Sequence, residues 1–315
     1  MQNRRDFLKK ASVLLAGGAV VPELLTSCAV QHTHTHTHMH THVHSGSSEL
    51  AGGGVNSSKY LGLQLYSLRD MVGDEGIEKT LQAVAKMGYN SLETAGYNDG
   101  KIYGKDPAEF KKMVNDLGMK LTSAHLSRNI SDNKDADMAW WNKAAEAHNA
   151  AGMKYMIMPM SPLGGEGATL DNVKRYCDYF NEVALITAGA SLQFGYHNHA
   201  FEFESKINGK PVYDYMLELT SPSHVMFQLD VYWIKKGGYD PVDYMRKYAK
   251  RIKVLHIKDE KAIGAHNSVD FKAVFNQAYA NGIKDWYVEV ERYDGTPQED
   301  VQKSADFLLN ASFTK

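Results

Sequence analysis

The chain has 315 residues, with 35 Lys and Arg against 37 Asp and Glu, and a formal charge of −2. That mildly acidic balance argues against nucleic acid as a partner. Beyond the first 27 residues no stretch is long and apolar enough to span a membrane.

Residues 1–27 read as an export signal. Arg4-Arg5 gives a twin-arginine start, and the apolar run Ala11 to Val21 is too short to span a bilayer as a mature helix. Leu25-Thr26-Ser27-Cys28 resembles a bacterial lipobox, which implies cleavage before Cys28 and a lipid on its thiol. The signal holds four basic and two acidic residues, so its removal takes the charge from −2 to −4. The expected location is therefore exported, either periplasmic or membrane-anchored, with the membrane touched only through the lipid at Cys28. Cys177 is then the one cysteine left, so no intrachain disulfide is expected despite an oxidising compartment.

Residues 28–58 form a tether. HTHTHTHMHTHVH places histidine at every even position from His32 to His44, and a Gly/Ser-rich stretch follows. Alternating imidazoles on an extended chain share one face, so the tract reads as a spacer that also captures metal.

From Lys59 to the end one phrase repeats: amphipathic helix, Gly, short link, apolar strand. Gly88, Gly118, Gly152, Gly189 and Gly282 mark five such joints, each expected to end its helix in the left-handed conformation. Strands are predicted near 60–66, 90–94, 120–125, 154–158, 192–199, 225–230, 252–258 and 286–291. Helices are predicted near 76–87, 107–117, 135–150, 169–188, 211–219, 240–250, 270–281 and 297–310. Pro107, Pro241 and Pro297 fall where first-turn prolines are favoured. Eight units within residues 59–315 predict a single-domain (β/α)8 TIM barrel rather than an open doubly wound sheet. No GxGxxG follows the first strand, so a dinucleotide site has no support.

His197, Asp230, His256 and Glu289 each close an apolar run, in LQFGYHNH, VMFQLD, IKVLHIKD and WYVEVE. Their spacing is close to the length of one strand–helix unit, about 30 residues. In a barrel such residues converge at the carboxyl ends of the strands. Two imidazoles and two carboxylates suit one divalent ion such as Mn²⁺, Zn²⁺ or Co²⁺. Alternation puts His199 on the face of His197, Gln228 with Asp230, Lys258 with His256, and Glu291 with Glu289. Gln64, Tyr66, Glu93 and His125 are further inward candidates, as barrel-core residues or substrate contacts. His125 stands out at a strand end. His199 is a candidate to orient a ligand, and Lys258 to neutralise an oxyanion. His148, His224 and Cys177 read as structural. Trp140, Trp141, Trp233 and Trp286 read first as packing and second as platforms for a sugar face.

Over residues 59–312 the chain resembles the xylose isomerase-like TIM barrel family, also called sugar phosphate isomerase/epimerase. LGLQLYSLRD, GYNSLETAGY, GYHNHAFEF, QLDVYW, VLHIKD and YVEVERY carry the resemblance. It implies one divalent metal held at the ends of strands 5 to 8, usually by Glu, Asp, His and Glu. Here the matching residues are His197, Asp230, His256 and Glu289. His197 replaces the glutamate that is usually both ligand and base, which removes one carboxylate a two-base epimerase would use. Trp233 stands where many relatives carry a histidine.

The implied chemistry is proton abstraction next to a carbonyl through an enediolate, with Glu289 as general base. His125 or His199 would move a proton to or from oxygen. Return of the proton to the adjacent carbon gives a sugar isomerase or epimerase. Expulsion of a β-leaving group gives a lyase acting on 3-keto-glycosides, a reading that export favours because phosphorylated sugars are mainly cytosolic. A non-catalytic sugar- or metal-binding lipoprotein is the third reading. The expected partner in each case is a small carbohydrate or glycoside.

Overall fold

A computed structural model describes residues 59–315. The signal, lipobox and histidine-tract readings concern residues outside that range. Among the described residues no helix is long and apolar enough to cross a membrane.

Eight parallel strands close into a barrel: β1 (Gly62–Gln64), β2 (Ser91–Thr94), β3 (Lys120–His125), β4 (Tyr155–Met158), β5 (Gln193–His197), β6 (Val225–Asp230), β7 (Ile252–Ile257) and β8 (Asp285–Val288). Each strand pairs with its neighbours in the chain, and β1 closes on β8 with Gly62 beside Tyr287. Main helices span Ile77–Lys86, Pro107–Asp116, Lys134–Ala150, Leu170–Gly189, Val212–Leu219, Pro241–Lys247, Phe271–Ala280 and Pro297–Asn310. This is the predicted TIM barrel.

Local chemistry explains the helix starts. Asp106, Asp240 and Thr296 each accept a backbone N–H just ahead of Pro107, Pro241 and Pro297. Thr296 and Glu299 form a reciprocal capping box. Gly88, Gly118, Gly152 and Gly282 take φ values from 75° to 93° after their helices. The joint at Gly189 departs from expectation. That glycine stays helical, and Ser191 takes the left-handed turn at φ 61°.

The first strand is shorter than predicted. After Gln64 the chain turns into a 3-10 segment, Leu65–Leu68, because the Gln64 side chain accepts the N–H of Tyr66 at 3.0 Å. Tyr66 therefore leaves the inner face and stands at the mouth, under the Arg69 guanidinium at 4.6 Å. Short helices Arg69–Glu75, Phe201–Glu204 and Val231–Lys236, and hairpins Tyr97–Ile102 and Lys206–Pro211, are additions the repeat did not foretell.

Most of the core lies between strands and helices, around Leu63, Leu92, Trp141, Phe180, Phe227 and Trp286. A second, small apolar cluster of Ile157, Met226, Val254 and Tyr287 plugs the barrel interior. Close approach at the β1–β8 seam requires Gly62, since a Cβ there would lie 2.2 Å from the Trp286 carbonyl oxygen. The interior is thus apolar at the level of that plug and polar above it. Period-two alternation carries Met226 to Gln228 and Asp230, and Val254 to His256.

Residues read as structural are so placed. Cys177 is buried, and burial pushes its thiol up to about 12. Trp141 donates to the Tyr179 hydroxyl at 2.7 Å inside the core. His148 is buried, with Nδ1 2.7 Å from the Ala144 carbonyl oxygen, and burial pushes its pKa down to about 4. The fold therefore holds His148 neutral, and protons bind the unfolded chain first. Its contribution is complete above the ordinary histidine value of 6.5 and is lost as pH falls through about 4. Urea unfolding should lose on the order of 3 kcal/mol from this group between pH 7 and pH 4. His148→Gln should flatten that pH dependence by the same amount, and an unchanged dependence would contradict the assignment.

Candidate active site

Four strand ends bring His197, Asp230, His256 and Glu289 together above the apolar plug. One ligand-type atom from each lies within 4.8 Å of the others, and all four side chains are buried. Their strands are adjacent, with His197 in register with Gln228, and Asp230 with His256. Glu289 is the first residue past β8, and its N–H still donates to the Ile257 carbonyl at 3.1 Å.

Asp230 closes β6 and caps the next helix. Its Oδ1 accepts from the N–H groups of Tyr232 at 2.9 Å and Trp233 at 2.7 Å. Its Oδ2 is buried with no hydrogen-bond partner among the described residues. Burial raises this carboxyl to about 7, against the lowering pull of Lys258. Asn198 braces the same point, with Oδ1 accepting the Asp230 N–H at 3.0 Å.

His256 lies between two carboxylates. Its Nε2 contacts Glu93 Oε2 at short range, and its Nδ1 is 3.3 Å from Glu289 Oε2. Burial disfavours the imidazolium, but the charges of Glu93 and Glu289 win and raise its pKa to about 10. Lys258 donates to Glu289 at 3.1 Å and pairs with Glu291 at 2.9 Å. Burial would raise Glu289, yet Lys258 and His256 hold it well below the usual carboxylate range. It is therefore ionised at neutral pH.

Glu93 lies beneath this set. Burial would raise it too, but facing His125 and His256 brings it down to about 2. His125 stacks on His256 with ring centroids 4.9 Å apart, and burial lowers its pKa. His199 sits one step toward the mouth, 5.0 Å from the His197 ring and 5.8 Å from that of Trp233. Its Nδ1 is buried without a partner among the described residues, and burial pushes its pKa down to about 4. The polar group on His197 is Gln228, at 3.1 Å from Nδ1, while His199 contacts it ring to ring. Trp233 is half-buried at the mouth, 5.7 Å from the Lys258 ammonium, with its indole N–H buried and unpartnered among the described residues. Trp286 is fully packed.

The donor set fits a divalent cation. Two carboxylates and two imidazoles converge, one Asp230 carboxylate oxygen has no partner among the described residues, and burial raises that carboxyl despite Lys258 and His256 nearby. A second trio, His125, His197 and His256, also has ligand atoms within 4.8 Å. There His125 Nε2 and His197 Nδ1 both point at Gln228 Oε1, at 2.7 and 3.1 Å. That trio is already satisfied by protein, and the four-residue set is the better ion site.

Two supporting residues escaped the sequence reading. Ser123 donates to Glu93 at 2.6 Å. It lies two residues before His125 on the same strand face, so alternation could have found it. Buried Glu202 accepts from the Tyr196 hydroxyl at 2.7 Å and the His199 N–H at 2.8 Å, and fixes the turn after β5. No periodic signal marks it.

A closed parallel barrel with a polar cluster at the carboxyl ends of its last four strands has the build of a barrel enzyme. The profile of the family described as Xylose isomerase-like TIM barrel matches residues 81–311, and the chain belongs to that family. A solved sugar phosphate isomerase/epimerase from Parabacteroides distasonis is 40% identical, with 82% of this chain and 100% of that one covered and a TM-score of 0.75. A second from the same organism is 34% identical, with 83% and 99% covered and a TM-score of 0.73. An inosose dehydratase of Geobacillus kaustophilus is 26% identical over 199 residues, 58% of this chain and 61% of that relative's length.

Proposed function

We propose that this chain is a metal-dependent, carbohydrate-active enzyme of the sugar isomerase/epimerase type, which removes a proton from the carbon next to a carbonyl. The observation that carries the reading is the buried His197, Asp230, His256 and Glu289 set with its unpartnered Asp230 Oδ2. These four would hold the ion, which when bound supplies Lewis-acid polarisation of the substrate carbonyl. Glu289, kept ionised by Lys258, takes the carbon-bound proton. Neutral His199, whose buried Nδ1 has no partner among the described residues, and neutral His125 serve as proton carriers to oxygen. Asp230 and Asn198 fix the β5–β6 side of the site. The half-buried Trp233 face offers an apolar wall to a sugar ring.

Elimination is the second reading, and two observations favour it. The Lys258 ammonium lies between Glu289 and Glu291, beside the base, where it can give a proton to a departing hydroxyl or alkoxide. The similarity to an inosose dehydratase points the same way, since dehydration is elimination of water. The residues that abstract the proton are the same in both readings. As an exported lipoprotein the enzyme would meet free sugars and glycosides rather than sugar phosphates.

Incubation with free keto-sugars and with a 3-keto-glycoside in D₂O tests this. Deuterium entering the carbon next to the carbonyl, without release of a group, is expected for isomerisation or epimerisation. Aglycone or water release is expected for elimination. Neither exchange nor release with any sugar would overturn the proposal and leave a binding protein.

A further inference from the structure

The fully buried carboxylate of Glu93 is the hub of the barrel interior. Its Oε1 accepts from Ser123 Oγ at 2.6 Å and Gln228 Nε2 at 2.8 Å. Its Oε2 accepts from Gln64 Nε2 at 2.8 Å and from His256 Nε2 at short range, with His125 Nε2 3.2 Å away. An ionised carboxylate accepts only, so Ser123, Gln228, Gln64 and His256 must each turn a hydrogen toward it. Gln64 shows this independently. Its Oε1 is committed to the Tyr66 N–H at 3.0 Å, which leaves only its NH₂ for Glu93.

The same rule fixes Gln228. With its NH₂ on Glu93, its Oε1 is the atom that faces His125 Nε2 at 2.7 Å and His197 Nδ1 at 3.1 Å. An amide oxygen also accepts only, so both ring nitrogens must carry a hydrogen. The ring atoms left to face an ion are then Nε2 of His197, Nδ1 of His125 and Nδ1 of His256, the last of which donates to Glu289 Oε2 at 3.3 Å and would give up that proton when an ion binds.

We propose that Glu93 is the positioning residue that sets the tautomers of three histidines at once, His256 directly and His197 and His125 through Gln228. It never touches the ion or the substrate. It directs the Nε2 hydrogen of His256 and the Nδ1 hydrogen of His197 away from the ion position, so that the opposite ring nitrogens face it, as outer carboxylates and carbonyls do for metal-bound histidines in general. The role requires an acid. A glutamine at 93 would set its own NH₂ against Gln228 in one orientation, and against Gln64 and His256 in the other.

The inference rests on the metal-binding reading of the four-residue set, and the test separates the two. The protein is the full-length chain with its seven tract histidines, His32 to His44, changed to Ser. Zinc affinity is measured by competition titration, and ring-nitrogen protonation by NMR of ¹⁵N-histidine in the zinc-loaded protein. The parent should show hydrogen on Nε2 of His256 and Nδ1 of His197. Glu93→Gln should weaken zinc by about 10- to 100-fold and disturb both signals. Gln228→Met should weaken it by about 10-fold and disturb His197 and His125 while leaving His256 as in the parent. If Glu93→Gln does not fold by near-ultraviolet circular dichroism, that selective pattern decides. Zinc binding within about twofold of the parent with unchanged signals in folded Glu93→Gln overturns the inference alone. So does equal disturbance of His256 and His197 in Gln228→Met, which marks a merely structural change. A parent that takes up no zinc overturns both readings.

Discussion

Glu289→Gln should abolish turnover while a keto-sugar still binds. The substitution keeps the shape of a buried side chain and removes its ability to take a proton. Gln can still offer an amide oxygen to the Lys258 ammonium, now 3.1 Å from Glu289, so the surrounding charges keep a partner. Loss of a positioned general base costs typically 10²–10⁴-fold in rate. Exchange of the carbon-bound proton in D₂O should fall by about that factor or more. Because Glu289 is also a proposed ligand, metal content of the variant is measured alongside. A variant that keeps its ion and its sugar but not the exchange identifies the base. Retained turnover would remove Glu289 from that role.

The second large effect belongs to Asp230→Asn. The wild-type Oδ1 caps the helix Val231–Lys236 through two N–H groups, and Oδ2 faces the cluster unpartnered. An asparagine must keep its oxygen on those two donors, which forces its NH₂ into the cluster. The cap survives, so stability should change by less than the roughly 1 kcal/mol that loss of a cap costs. Ion affinity should fall by more than the roughly 100-fold seen for outer residues, because an acceptor becomes a donor at the ion position. Asp230→Ala should lose both the ion and the cap. Affinity titration with urea unfolding separates the two roles. An Asn variant that binds metal like the parent would exclude Asp230 as a ligand.

The barrel and its four-residue set were legible because one physical signal was repeated. His197, Asp230, His256 and Glu289 each end an apolar run at the length of one strand–helix unit, and a closed barrel must bring such ends together. What the sequence hid depends on contacts between distant strands. Glu93 lies within a four-residue strand, and nothing in SLET shows that residues near 64, 123, 228 and 256 donate to it. Apolar alternation continues past Gln64, but its side chain bonds the Tyr66 N–H and turns the chain early. Trp233 reads as packing until the short helix capped by Asp230 brings it to the mouth beside Lys258. That helix, Val231–Lys236, has only six residues, too few for a helical period to show.

A divalent ion is expected in the barrel mouth rather than on the histidine tract. Elemental analysis of the full-length chain with His32, His34, His36, His38, His40, His42 and His44 changed to Ser tests it most directly. After dialysis the expected content is about one divalent ion per chain, lost in Asp230→Asn. A metal-free protein that cannot be loaded with Mn²⁺, Zn²⁺ or Co²⁺ would contradict it.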